Sequence, residues 1–193
     1  MIRRIRQKVV DMAISVEPQD QPEAAVLMAI TDESTPHLVL TRRAEHLTSH
    51  AGEVAFPGGK KDLEDLSLQH TALRETHEEI GLRSEAIDII GALSPANSKF
   101  GLRVTPFVGV VDPRAKLVAN KDELDEIFHV PLEFFINNQP NDVYQFPYKG
   151  EVYVASCYNY QGHIIWGLTA YFIADFMNAV FDTQITIELR GRK

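Results

Sequence analysis

The stretch that most restricts how this chain can fold is residues 56–82, FPGGKKDLEDLSLQHTALRETHEEIGL. A proline and two glycines lead into a run with helical character that carries Glu75, Glu78 and Glu79 and halts at Gly81. At about 100° per residue, those carboxylates fall within an arc of roughly 100° on one helix face. Leu66, Leu73, Thr76 and Ile80 fall on nearly the opposite face, as expected of a helix packed on a sheet. Crowded acids repel one another at neutral pH, a cost that a cation among them offsets. Oxygen-only clusters suit Mg2+ or Mn2+, which take a few carboxylates and keep other positions for water and phosphate. On an arbitrary helix, a solvated acidic face would be the simpler account. Two features here favour a metal site: Arg74 reaches Glu78 one turn on and can orient it, and Gly58 and Gly59 permit close approach of backbone to a bound group.

The flanking pattern is α/β. Residues 23–30, EAAVLMAI, are almost continuously apolar and read as a buried central strand. A polar turn separates them from a short strand at 37–41, and residues 86–93 and 104–111 give two more. Between the latter, SPANSKFG is a loop by its turn formers. Residues 121–128, KDELDEIF, place Glu123 and Glu126 on one side if helical, or in a solvated turn if not. Pro131 suits the first turn of a short helix at 132–135. Residues 145–160 read as a strand pair about Lys149 and Gly150, with Tyr144, Phe146, Tyr148, Tyr153 and Tyr158 in or beside it. Cross-strand packing is the default for these rings, and stacking on an adenine the functional alternative. A strand at 164–169 then runs into a helix over about 167–181, with Trp166 as a core anchor. No segment repeats at a fixed period.

Further candidates for chemistry lie outside the helix. Arg42 and Arg43, at a strand end, can attract phosphate through paired charge-assisted bonds or form a solvated basic pair. His50 can serve as acid, base or phosphate donor, or be only a surface or core residue. Glu53, shortly before the glycines, can add a metal ligand. Ser98, Lys99 and Phe100 can hold or stack a ligand, or merely connect two strands. No spacing demands a Ser-His-Asp triad or a Cys-His pair.

The segment 56–82 resembles the signature box of the Nudix hydrolases, which cleave nucleoside diphosphates linked to another moiety. Arg74, Glu75, Glu78, Glu79 and Gly81 match its closing pattern, with Thr76 where an apolar residue is usual. The spacing from Gly59 to Glu75 is one residue longer than in the general box, and Asp65 stands near a position usually held by glutamate. Upstream, Leu40, Thr41, Arg43, Leu47, His50, Gly52 and Glu53 resemble the extended motif of the coenzyme A pyrophosphatase branch, which shares the longer spacing and the Thr-Ala-Leu-Arg-Glu phrase at 71–75. The resemblance runs from about residue 23 to residue 178.

It implies a Nudix-like α/β/α sandwich with a mixed β-sheet, one domain over residues 1–193 with 1–22 as a peripheral N-terminal extension. It also implies metal-dependent hydrolysis of coenzyme A or its acyl derivatives to 3′,5′-adenosine bisphosphate and 4′-phosphopantetheine or its acyl form. Glu75, Glu78 and Glu79 would hold Mg2+ or Mn2+, with Glu53 as an addition. Arg74 would organise a glutamate, Arg42 or Arg43 would face phosphate, and Glu123 would position water or metal. Gly58, Gly59, His50, Ser98, Lys99 and Phe100 would line the substrate. The alternatives are a pyrophosphatase for ADP-ribose or another nucleoside diphosphate derivative, and a nucleotide-binding domain without turnover.

A length of 193 residues suits one domain with a sizeable core. The formal charge of −8 argues against nonspecific nucleic-acid binding, which needs Lys and Arg to neutralise phosphates. Its one cysteine, Cys157, expected in a sheet, is at ease in a reducing compartment. No apolar run is long enough to span a membrane. The opening MIRRIRQKVV is basic but lacks the apolar region of a secretory peptide, and Ile2, Ile5 and Val9 suit a short surface helix. The expectation is a cytoplasmic protein, with late aromatic and apolar residues leaving room for a homodimer.

Overall fold

The computed structural model describes residues 1–17, 20–98, 101–148 and 150–191. Its centre is β1 (Glu23–Thr31), whose side chains alternate between two cores as a period of two requires. Ala24, Met28 and Ile30 point into a large cluster, while Ala25, Leu27 and Ala29 point the other way. A strand buried on both faces must be apolar nearly throughout, and EAAVLMAI is.

Around β1 the sheet is mixed. β2 (His37–Arg43) and β7 (Arg103–Val111) flank it, β7 in parallel over its whole length and β2 antiparallel through Ile30 and Leu38. β2 then diverges, and the short β4 (Gly58–Lys60) takes its place beside Ala24, Ala25 and Val26. β3 (Val54–Ala55) and β8 (Leu124–Pro131) pair with β2, and β5 (Ile87–Ala92) and β6 (Ala96–Asn97) with β7. A second sheet joins β9 (Asp142–Tyr148), β10 (Glu151–Tyr160), β11 (His163–Ile165) and β12 (Leu189–Gly191). Lys149, at the expected turn between β9 and β10, lies outside the described residues. Cys157 is buried in β10, and burial pushes its thiol up to about 11.

Helices close both faces of the first sheet, giving the α/β/α layering expected. α1 (Ile2–Met12) and α4 (Gly167–Phe181) meet on the Met28 side, where Ile5, Val9, Phe172 and Phe176 are buried together, with α3 (Leu132–Asn137) adding Leu132 and Phe135. α2 (Leu68–Ile80) covers the other face, burying Leu68 and Ala72 over Ala25, and Ile80 over Leu27 and Ala29. None of the described helices is long and apolar enough to cross a membrane.

Two expectations are corrected. Leu66 is not on the inner face of α2: it precedes the helix and is 91% exposed. The helix begins only at Leu68 because the Ser67 hydroxyl caps it, accepting from the His70 amide at 3.1 Å. Glu123 and Glu126 do not share a helix side either, since residues 124–131 form β8. There Glu126 pairs with His163 at 3.0 Å and lies 3.5 Å from Arg42.

What precedes α2 is a loop clipped to its outer surface by Asp65. The Asp65 carboxylate is 6% exposed and accepts from the Asp62 amide and the Thr71 hydroxyl at 2.9 Å each. Arg74 grips it with two bonds, from Nε at 3.0 Å and Nη2 at 2.9 Å. That guanidinium holds the Asp65 carboxyl well below the usual carboxylate range, more than offsetting burial. A depressed folded-state pKa contributes stability above the unfolded value, and the contribution fades as pH falls. Asp65→Asn should therefore cost about 2 kcal/mol of unfolding free energy at neutral pH, as a charge-assisted pair is lost. In denaturant titrations, the deficit should shrink as pH falls below the unfolded value of 3.8.

Candidate active site

The site is built where β4 enters the gap left by β2. Leu27 donates to the Pro57 carbonyl at 2.8 Å, and β4 then runs antiparallel to the start of β1 with α2 directly above. Gly58 sits at φ +150°, where a Cβ would stand 2.4 Å from the Ala25 carbonyl oxygen. A Cβ on Gly59 would meet the Glu75 carboxylate at 2.4 to 2.6 Å. The two glycines thus let a strand edge approach a row of carboxylates that no larger residue would permit.

Glu79 lies deepest. It is 4% exposed, and its Oε2 accepts the Gly58 amide at 3.0 Å. Burial, reinforced by Glu123 and Glu75, outweighs that bond and the nearby Arg43, pushing the Glu79 carboxyl up to about 7. Glu75 is also raised, chiefly by burial and further by Glu78 and Glu123, against the pull of Arg74. Arg74 Nη1 lies 3.0 Å from Glu75 and 3.1 Å from Glu78, so one guanidinium joins Asp65 to both helix acids. Hydrogen bonding to Asp65 raises the proton affinity of Arg74, which keeps its charge throughout.

Glu123 arrives from the loop opposite α2. Its Oε1 accepts from Asn120 Nδ2 at 3.1 Å, and its carbonyl accepts the Ala44 amide at 2.8 Å. The Asn120 amide also donates to the Glu79 carbonyl at 2.8 Å, which ties this loop to the end of α2. Asn120 was not singled out in the sequence, where an Asn before a charged turn marks only the turn.

The two arginines separate. Arg42 lies within 3.4 to 3.5 Å of Glu45, Asp125 and Glu126 and is committed to that cluster. Arg43 turns toward the helix, with Nη1 3.9 Å from Glu79, too far for a hydrogen bond. Its Nε is buried and lacks a hydrogen-bond partner among the described residues. A partly exposed guanidinium with no close ion pair, standing near carboxylates, is available to an anion rather than settled in an ion pair.

His50 and Glu53 pair with each other, Nδ1 to Oε2 at 2.7 Å, on the loop that leads from β2 into β3. The Gly52 amide donates to the Arg43 carbonyl at 3.1 Å and the Arg43 amide to the Glu53 carbonyl at 3.0 Å, so this loop returns to the strand end carrying Arg43. Ser98 follows β6, and its hydroxyl accepts the Leu102 amide at 3.2 Å. Lys99 and Phe100 lie outside the described residues.

Among the described residues, no three His, Cys, Asp or Glu side chains converge as a ready-made metal cluster. Glu75 and Glu78 lean on Arg74, Glu79 on Gly58, and Glu53 on His50. The donor chemistry nonetheless fits a hard divalent cation. The donors are all carboxylate oxygens, and the two buried ones resist ionisation through burial and mutual repulsion that such a charge would relieve.

With that geometry in place, the relatives are informative. The NUDIX domain family matches residues 21–148. A protein of Photorhabdus laumondii described as an uncharacterized Nudix hydrolase, NudL, is 43% identical over 147 residues, covering 76% of this chain and 79% of its own length. Its Salmonella heidelberg namesake is 39% identical over 160 residues, covering 81% of this chain and 82% of its own. Among solved structures, a MutT/nudix family protein from Enterococcus faecalis aligns at a TM-score of 0.52 and 15% identity over 90% of this chain and 67% of that one. RenU, a Nudix hydrolase from M. smegmatis, aligns at 0.51 and 20% identity over 61% and 74%. The structures share the fold, and the family match and the identities go further: this chain belongs to the Nudix hydrolase family.

Proposed function

We propose that this Nudix hydrolase cleaves the diphosphate linkage of small nucleoside diphosphate derivatives. Coenzyme A and its acyl derivatives are the substrates, released as 3′,5′-adenosine bisphosphate and 4′-phosphopantetheine or its acyl form. The observation that carries the chemistry is the buried Glu79 carboxylate, fixed by the Gly58 amide and faced by an Arg43 guanidinium with an unused donor. Choice of coenzyme A rests on the Leu40 to Glu53 phrase and the lengthened glycine-to-helix spacing. The family match by itself supports the wider reading, hydrolysis of ADP-ribose or another nucleoside diphosphate derivative, better than it supports coenzyme A.

Glu75, Glu78 and Glu79, with Glu53 added, would hold Mg2+ or Mn2+, which when bound supplies an activated water and neutralises diphosphate charge. The chain's own residues do the rest. Arg43, whose Nη1 lies 3.9 Å from Glu79, binds a phosphate oxygen beside the helix acids. Arg74, immobilised by Asp65, keeps Glu75 and Glu78 in their rotamers. Glu123, held by Asn120 on the loop that follows α2, would help position the attacking water or a metal ion. His50 and Ser98 line one cavity with Glu53, and Gly59 lies against the Glu75 carboxylate.

With Mg2+ or Mn2+, coenzyme A should yield the two named products, and chelation of the metal should abolish them. A kcat/KM for ADP-ribose equal to or above that for coenzyme A would transfer the assignment to the second reading. Glu79→Gln should lower kcat at least about hundredfold. The thermal midpoint should hold or rise, since the amide still accepts from Gly58 and no charge is buried; unchanged turnover would remove Glu79 from the metal shell. Arg43→Ala should lower kcat/KM by about 10- to 100-fold, the range for losing a charge-assisted bond of 1.5–3 kcal/mol. Arg42→Ala should change kcat/KM less than about threefold, its neighbours being surface carboxylates.

A further inference from the structure

At the end of β2 remote from Arg43, two histidines from neighbouring strands stand ring to ring. His37 opens β2, and His129 lies in β8 with Val39 as its register partner, two residues along from His37. The pair is therefore diagonal across the two strands, and the period of two puts both side chains on the face where Val39 meets Ile80 of α2. Their ring centroids lie 6.4 Å apart, with the planes at 75°. From His37 to Arg43 the strand advances about 20 Å at ~3.3 Å per residue, so the carboxylate site is remote from this pair.

Neighbouring groups set the tautomer of His37. Its Nδ1 lies 3.1 Å from Glu33 Oε1, and the same oxygen accepts the Thr31 hydroxyl at 2.6 Å. Thr31 Oγ1 in turn accepts the His37 amide at 2.8 Å, which closes a ring through the three residues. The bond from Thr31 lowers the Glu33 carboxyl below its usual range, so Glu33 is ionised and can only accept. The proton of the neutral imidazole therefore sits on Nδ1, and the lone pair on Nε2. A carboxylate behind an imidazole fixes the ring and makes its outer nitrogen a better ligand. His129 is neutral as well: burial lowers it and His37 lowers it further, against an opposing effect of Glu33.

Two neutral imidazoles offer what the helix acids do not. Nitrogen donors select Zn2+, Ni2+ or Cu2+ over Mg2+, whereas carboxylates alone suit Mg2+ or Mn2+. Two nitrogens about 2.0 Å from one Zn2+ at a tetrahedral angle bring the ring centroids to about 5 Å. Rotation of the exposed His129 side chain supplies that closure. Among the described residues no third acid, histidine or cysteine converges on the pair, so water completes the coordination.

We propose that His37 and His129 form a second metal site, for an imidazole-preferring divalent ion such as Zn2+, Ni2+ or Cu2+, which ties β2 to β8 at the end remote from the carboxylates. Glu33 is a positioning residue that orients His37 without touching the metal. The site does not rest on the function proposed above. An ion bound there bridges two strands of the folded chain and stabilises it by mass action.

The test uses the full chain without an affinity tag, with Mg2+ in large excess to fill the carboxylate site. Cu2+ should give an electron paramagnetic resonance spectrum with coupling to two nitrogens, and Ni2+ should raise the thermal midpoint. His37→Ala and His129→Ala should each weaken calorimetric Ni2+ binding at least about tenfold, because a chelate becomes a single ligand. Glu33→Ala should weaken it about 10- to 100-fold, the range for losing a group that orients a ligating histidine. Glu33→Gln, whose carbonyl still accepts from Nδ1, should recover most of that loss. A merely structural Glu33 would alter the midpoint without metal and leave Ni2+ affinity unchanged, which removes its positioning role. Ni2+ affinity unchanged in His129→Ala overturns the site. If the histidine variants do not fold, the unaltered chain decides: a Cu2+ spectrum without coupling to two nitrogens overturns it too.

Discussion

Everything at this site depends on a hydrogen bond that is too weak for its task. The Gly58 amide donates to Glu79 at 3.0 Å, yet a carboxylate that is 4% exposed loses more by leaving water than one amide returns. The balance is visible in Glu79 itself, whose proton affinity is lifted to near neutrality with burial as the leading cause. A fold optimised for stability alone would have an apolar residue in that position, beside Thr76 and Ile80. The chain instead keeps an acid there, adds Glu75 and Glu123 to its field, and leaves the group short of counter-charge. Such a deficit is what a bound cation removes, and strain of this kind concentrates where binding occurs.

The cations of the region are sorted by how fully each is already paired. Arg74 is saturated: Asp65 takes two of its donors, and Glu75 and Glu78 share a third. It acts as a fixed post and sets where the helix acids stand. Arg42 is spread across Glu45, Asp125 and Glu126 on the strand's outer side. Arg43, one residue along and past the irregularity that shifts the β2–β8 register between the two, turns toward Glu79, and its buried Nε lacks a hydrogen-bond partner among the described residues.

How much of this was legible in the sequence follows from which interactions are local. The helix, its stop at Gly81 and the Arg74–Glu78 contact are set by spacing within a few residues, and the strand at 23–30 announced itself by unbroken apolarity. The helix start was misjudged because apolar period alone carried the pattern back to Leu66, whereas the Ser67 cap and the Asp65 clip end it at Leu68. The Glu123–Glu126 stretch was ambiguous because its i, i+3 acids fit a helix, while pairing with β2 makes it a strand. Arg42 and Arg43 could not be told apart without knowing which face of β2 meets α2. Asn120 and the cavity lined by His50 and Ser98 were invisible, since each brings together segments far apart in the chain.

That same distance gives the late part of the chain its meaning. β10 and α4 lie beyond the stretch that the family holds in common, yet α4 does not pack as an appendage: Phe172 and Phe176 share the core with Met28 and Leu40, and Thr169 bonds to β3. β3 leads through Phe56 and Pro57 to the amide that holds Glu79. The late helix and the anchor of the deepest carboxylate are therefore joined through one strand, β3. A helix fastened to that strand can fix the position of the acid, and a fixed acid needs no reorganisation when charge arrives beside it.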